Sequence, residues 1–152
     1  MMDIFGIGPR IAVSGVVSLA MIQALGPNWG DLSYGFIPAT LRNIAGAALS
    51  ATGVYFWLDS VRLVATRFKS GVLITGGVYR FVRNPMYAGF IVFIVPGLSL
   101  LLDNPLMIFS SAVMMLVFKM GINREELYLE ERFGSEYLSY RRNVRQIIPF
   151  VW

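Results

Sequence analysis

From Asn84 to Phe118 the chain carries a single charged residue, Asp103, and from Ile11 to Gly30 it carries none. Most of the charge collects in two polar blocks, residues 67–87 and 123–145. This segregation constrains the fold more than any other feature. An uncharged stretch of that length finds no stable exposure to water, whereas a bilayer span needs roughly 20 apolar residues. Composition points the same way. Of 152 residues, 56% are hydrophobic and 14% charged, against about 25% charged in soluble domains. The mean hydropathy is +0.62. Inside a bilayer the backbone must satisfy its own hydrogen bonds, so apolar stretches of this kind read as helices. The expected class is an all-α integral membrane protein, one domain over residues 1–152.

Apolar segments are expected at residues 11–25, 38–63, 88–102 and 106–120, about four transmembrane helices. Pro9 suits the start of the first and Gly26-Pro27 its end. The N-terminus lacks a basic n-region and a small-residue cleavage site, so the first span is expected to be retained. Trp29 and Tyr34 suit a headgroup-level belt. Arg42 is placed to snorkel outward. The small-residue run at 45–53, AGAALSATG, invites close approach of another helix, within the chain or between chains. Asp103-Asn104-Pro105 joins the last two segments as a helical hairpin, and Pro96-Gly97 is expected to kink the third segment. Of the 13 lysines and arginines, Arg42 alone falls on the side of Asp31 and Asp103. The positive-inside rule then puts both termini and both polar blocks in the cytoplasm of a multi-pass protein, in a prokaryotic cell membrane. The net charge of +4 needs no nucleic-acid partner in that setting.

Cysteine and histidine are both absent. That excludes a disulfide scaffold, a thiol nucleophile, a histidine base and a Cys/His metal site, and no metal is expected.

The central block is TGGVYRFVRNPMYAG, residues 75–89. Gly76-Gly77 permits a backbone that other residues resist, with N–H groups suited to an anion such as a carboxylate. Arg80 and Arg83 offer planar forks for carboxylate or phosphate. Tyr79, Phe81 and Tyr87 can pack on a planar ring. Asn84-Pro85 reads as helix N-cap and first helical residue. The plainer reading is a positive-inside loop with interfacial aromatics. In the second block, Glu125 and Glu126 open a helix beneath the membrane, where acids suit the helix dipole. Leu129, Phe133, Tyr137 and Tyr140 fall on one face, marking a cytoplasmic amphipathic C-terminal helix. The plainer reading here is a solvated helix with Glu–Arg pairs.

Together the blocks resemble the isoprenylcysteine carboxyl methyltransferase and phospholipid methyltransferase superfamily. That family carries a G-x-Y-R-x-x-R-[HN]-P-x-Y-x-G block, a helical hairpin, E-E-x-x-L, then F-G-x-x-Y-x-x-Y and a terminal I-P. Here stand Gly77, Tyr79, Arg80, Arg83, Asn84, Pro85, Tyr87 and Gly89. Glu125, Glu126 and Leu129 follow, then Phe133, Gly134, Tyr137 and Tyr140, then Ile148-Pro149. The resemblance implies S-adenosylmethionine-dependent methyl transfer to a lipid-like acceptor, a prenylcysteine carboxylate or a phospholipid amine, arriving from the bilayer. The cofactor half would be residues 67–152. It further implies cofactor binding by Gly77, Tyr79, Arg83, Asn84, Pro85, Tyr87, Glu125 and Glu126. Glu126, Arg124 and Arg145 become the catalytic candidates, the two arginines orienting an acidic acceptor. The family more often has His where this chain has Asn84, which removes a titrating group there. Two alternatives stand beside this reading: an NADPH-dependent membrane sterol or enone reductase of related C-terminal architecture, and a non-enzymatic membrane protein that kept the fold.

Overall fold

A computed structural model describes residues 7–25, 32–67 and 71–148. Gly26-Pro27, Trp29, Asp31, Lys69 and Pro149 lie outside the described residues. The described elements are helical: α1 (Gly8–Leu25), α2 (Ala39–Arg67), a 3-10 turn (Gly77–Arg80), α3 (Pro85–Ala88), a π-helical segment (Gly89–Ile94), α4 (Val95–Leu101), α5 (Met107–Phe133) and α6 (Ser135–Asn143). One isolated parallel bridge pairs Val82 with Arg145.

Two helices, α2 and α5, are long and apolar enough to cross a membrane. At 1.5 Å per residue they measure about 44 and 40 Å. Gly8–Ile22 and Pro85–Leu101 are shorter apolar helices. Val16, Leu41, Ile44, Phe109, Leu116 and Met120 stand exposed on these helices, as residues solvated by lipid do.

The second polar block does not begin a new helix at Asn123. Helix α5 runs unbroken from Met107 to Phe133. No proline interrupts it, and Gly121 alone costs only about 1 kcal/mol of helix propensity. Gly121 is instead a contact point: a Cβ there would lie 2.6 Å from Ile7 Cγ2. The break comes at Gly134, with φ 53° and ψ −127°. The apolar face survives that break, with Tyr137 of α6 1% exposed.

Helix α2 lies along the continuous α3–π–α4 rod, α1 lies against α5, and α4 and α5 form the expected hairpin. The small-residue run of α2 is spent inside the chain. A Cβ on Gly53 would lie 2.6 Å from the Gly89 carbonyl oxygen, and one on Gly46 would lie 2.8 Å from that of Gly97. Backbone thus meets backbone at both ends of the contact. The disturbance near Pro96 takes the form of the π-helical segment just before it. Proline lacks an N–H and its ring crowds the carbonyl four residues back, and a widened turn accommodates both.

At the end of the bundle remote from the polar blocks, Arg42 does not simply snorkel. It forms an ion pair with Asp103. Asp103 Oδ1 also accepts the Tyr34 N–H at 2.8 Å, and the Tyr34 hydroxyl lies 2.8 Å from Ser99 Oγ. These contacts fasten the segment before α2 onto the α4–α5 hairpin.

Candidate active site

The 3-10 turn opens the site. Gly77 has φ +61°, a left-handed conformation open to glycine at little cost. A Cβ there would meet Asp59 Oδ2 at 2.6 Å and Leu63 Cδ1 at 2.7 Å. Asp59 of α2 is close because its Oδ2 accepts the Val78 N–H at 3.1 Å. The anion beside this turn is therefore the chain's own carboxylate. Tyr79 follows. Its hydroxyl lies 2.9 Å from Ser60 Oγ, and its carbonyl accepts the Tyr140 hydroxyl at 2.5 Å. Burial raises the Tyr79 phenol above its ordinary pKa, so it is neutral at physiological pH.

Val82 to Asn84 pairs with the tail beyond α6. The Arg83 N–H donates to the Arg145 carbonyl at 2.7 Å, and the Asn84 N–H donates to the Gln146 carbonyl at 2.9 Å. Pro85 occupies the first turn of α3, but the Asn84 side chain does not cap it. Asn84 Nδ2 donates instead to the Gln146 carbonyl at 3.2 Å. The pairing with the tail outcompetes the local cap because it satisfies backbone and side chain together.

Two carboxylates on adjacent residues of α5 then meet the central block in different ways. Glu126 is buried, with an Arg83 Nη2–Oε1 distance of 2.7 Å. Arg141 Nη2 stands 3.6 Å from its Oε2. Arg83 Nη1 also donates to the Arg141 and Val144 carbonyls at 2.7 and 2.9 Å. Tyr137 packs nearby, and burial, then the Glu126 charge, pushes its phenol up to about 12. Glu126 is thus held by guanidinium groups inside the protein, the arrangement a buried charge requires.

Among the described residues, Glu125 forms no ion pair. Its Oε1 accepts the Tyr87 hydroxyl at 3.0 Å and the Ile7 backbone N–H at 2.6 Å. Tyr87 packs in turn against Phe118 in a tilted ring contact, with centroids 5.5 Å apart. The entry of α1 is therefore part of this corner, which the sequence did not suggest. Among the described residues, Arg83 Nε is buried without an acceptor.

Of the residues expected to form the site, Arg83, Asn84, Tyr87, Glu125 and Glu126 converge, with Pro85 buried beneath them. Gly77 and Tyr79 stand one turn away against Asp59 and Ser60. Arg124 and Arg145 have exposed side chains, and Arg145 joins the cluster through its carbonyl. Asp59, Ile7 and Gln146 were missed. Each acts through a backbone group or from a distant segment, which leaves no local signature.

The sequence profile of the phospholipid methyltransferase family matches residues 41–136. Proteins A and B of Arabidopsis thaliana named protein-S-isoprenylcysteine O-methyltransferase are similar to this chain. They are 40% and 39% identical over 137 and 139 residues, 90% of this chain and 68% of each relative. The Homo sapiens protein-S-isoprenylcysteine O-methyltransferase is 26% identical over 143 residues, 92% of this chain and 50% of that protein. The matched span takes in the central block and Glu125-Glu126, the two parts that the fold brings together. The chain belongs to the phospholipid methyltransferase family.

Proposed function

We propose that the protein is an integral membrane methyltransferase that takes its methyl group from S-adenosylmethionine and delivers it to a lipid-linked acceptor. A prenylcysteine carboxylate, the group in the relatives' name, is the first choice of acceptor, and a phospholipid amine the second. The observation that carries the reading is the joining of the two polar blocks through adjacent glutamates, Glu126 to Arg83 at 2.7 Å and Glu125 to Tyr87 at 3.0 Å.

The residues present suit this cofactor. Arg83 Nε is a buried donor lacking an acceptor, the counterpart of a carboxylate. Glu125, engaged by a phenol and an N–H, keeps acceptor capacity for ribose hydroxyls or an ammonium group. The Tyr87 ring, backed by the buried Phe118, offers an aromatic surface. When bound, S-adenosylmethionine supplies an electrophilic methyl group on a sulfonium.

The chain's own work is to bind, orient and exclude water. Gly77 and Tyr79 shape the turn. Asn84 and Pro85 set the start of α3, so that Tyr87 faces Glu125. Glu126 fixes Arg83. Arg124 and Arg145, basic and exposed, orient an acidic acceptor arriving from the bilayer. Four spans with both termini and the site on the cytoplasmic side complete the proposal, supported by the basic residues at that end.

Calorimetry of the purified protein with S-adenosylmethionine tests it. Wild type binds, and Glu125→Ala binds at least tenfold more weakly, the loss of about one charged hydrogen bond. Absence of binding by wild type overturns the reading.

A further inference from the structure

Gln146 belongs to none of the sequence blocks quoted above, yet it touches both halves of the site. Its Nε2 donates to Glu126 Oε1 at 2.8 Å. Its Oε1 accepts from Lys119 Nζ at 2.7 Å. Its backbone carbonyl accepts the Asn84 N–H at 2.9 Å and Asn84 Nδ2 at 3.2 Å. Lys119 can only donate and an ionised Glu126 can only accept, so the amide has one consistent orientation. Lys119 and Glu126 lie seven positions apart on α5, about two turns on the same face. One side chain therefore spans that face while its carbonyl holds the turn leading into α3.

We propose that Gln146 is a positioning residue for the cofactor site, an inference that rests on the methyltransferase reading above. It acts through Glu126 and Asn84. Two guanidinium groups compete for the Glu126 carboxylate, that of Arg83 and that of Arg141, 3.6 Å away. The Gln146 amide fixes Oε1 on the Arg83 side. Arg83, whose buried Nε has no acceptor, is then held in place, and Asn84 is held at the turn beside it. An apolar side chain at 146 removes the donor and frees the carboxylate to swing to Arg141. A carboxylate at 146 keeps the Lys119 contact but opposes Glu126 with like charge.

The test is calorimetric titration of the purified full chain with S-adenosylmethionine, alongside the thermal midpoint measured without ligand. Gln146→Leu is expected to weaken binding about tenfold, the worth of one hydrogen bond to a charged group. Gln146→Glu weakens it further. Adding Arg141→Ala to Gln146→Leu removes the competing guanidinium, leaves the carboxylate to Arg83 and recovers most of the affinity. A merely structural role gives no such recovery, and its loss of affinity follows the thermal midpoint. Wild-type affinity in Gln146→Leu, or failure of the Gln146→Leu/Arg141→Ala pair to regain binding at a wild-type midpoint, overturns the inference alone. Failure of the wild type to bind overturns the methyltransferase reading, and this inference with it.

Discussion

Gly77 shows how a single position carries backbone geometry, packing and the site at once. Its φ of +61° is one that an L side chain adopts at a cost of roughly 1–3 kcal/mol. A methyl there also lies 2.6 Å from the carboxylate oxygen of Asp59, the oxygen that accepts the Val78 N–H. Gly77→Ala should therefore destabilise the protein by about 1–3 kcal/mol, read as a lower thermal midpoint. An unchanged midpoint would show that Asp59 yields freely. The adjacent glutamates make a second point at this scale. Sequence pairs Glu125 and Glu126 as equivalents, but one helical step apart they point at different partners. Glu126 is tied to Arg83 and Arg141, and Glu125 to Tyr87 and the Ile7 N–H. The substitution Glu125→Ala removes the proposed ligand contact and leaves the Tyr87 hydroxyl and the Ile7 N–H without their acceptor, at a cost of about 1–3 kcal/mol. Glu126→Ala leaves Arg83 buried without its counter-charge, and should cost about 3–5 kcal/mol, measured by thermal or chemical unfolding.

Among the elements, the contact between α2 and the α3–π–α4 rod decides most of the bundle. Gly53 faces the Gly89 carbonyl and Gly46 the Gly97 carbonyl. These neighbours are backbone and do not swing aside. Gly53→Leu must push the helices apart and should destabilise the protein by about 1–3 kcal/mol of overpacking, read as a lower thermal midpoint. Ala51→Leu, at an exposed position two residues earlier, should leave it nearly unchanged. Equal effects at 51 and 53 would refute this packing. The run of small residues was visible in the sequence, but its partner was not. Any helix with small residues in register could have filled that role, including one from a second copy. The length of α5 was misjudged for a related reason. A composition change at Asn123 marks where the helix leaves an apolar environment. Helix continuity depends on terminators, and α5 meets none before Gly134.

For the whole molecule, the two ends of the bundle are held by different chemistry. The site end is an ion-pair and hydrogen-bond network around Glu126. The opposite end is latched by Asp103, which joins Arg42, Tyr34 and the hairpin. The Tyr34 N–H, with help from Arg42, holds the Asp103 carboxyl below its ordinary value of 3.8. A folded pKa below the unfolded one stabilises the fold at higher pH. That contribution is present above pH 3.8 and is lost as pH falls through the depressed folded value. Asp103→Asn should therefore show less loss of thermal stability on acidification from neutral pH through this range than wild type does. Parallel acid curves for the two proteins would show that the latch is not proton-linked.

The sequence by itself determined the helical class, the apolar segments, the hairpin at Asp103-Asn104-Pro105 and the two polar blocks, because hydrophobicity and proline or glycine breaks act locally. It also named most of the converging residues, since Arg83, Asn84 and Tyr87 sit within one turn and Glu125-Glu126 are adjacent. Tertiary structure alone decided that Glu126 is an internal counter-ion and that Glu125 meets a phenol and a backbone N–H instead. It alone brought the α1 entry to Glu125 and placed Asp59 under the glycine turn, and it routed Asn84 and Glu126 through Gln146. All of these depend on contacts between residues far apart in the chain. Such contacts are fixed by how close the helix backbones can approach and by which buried charges must be paired, and no single stretch of residues encodes either.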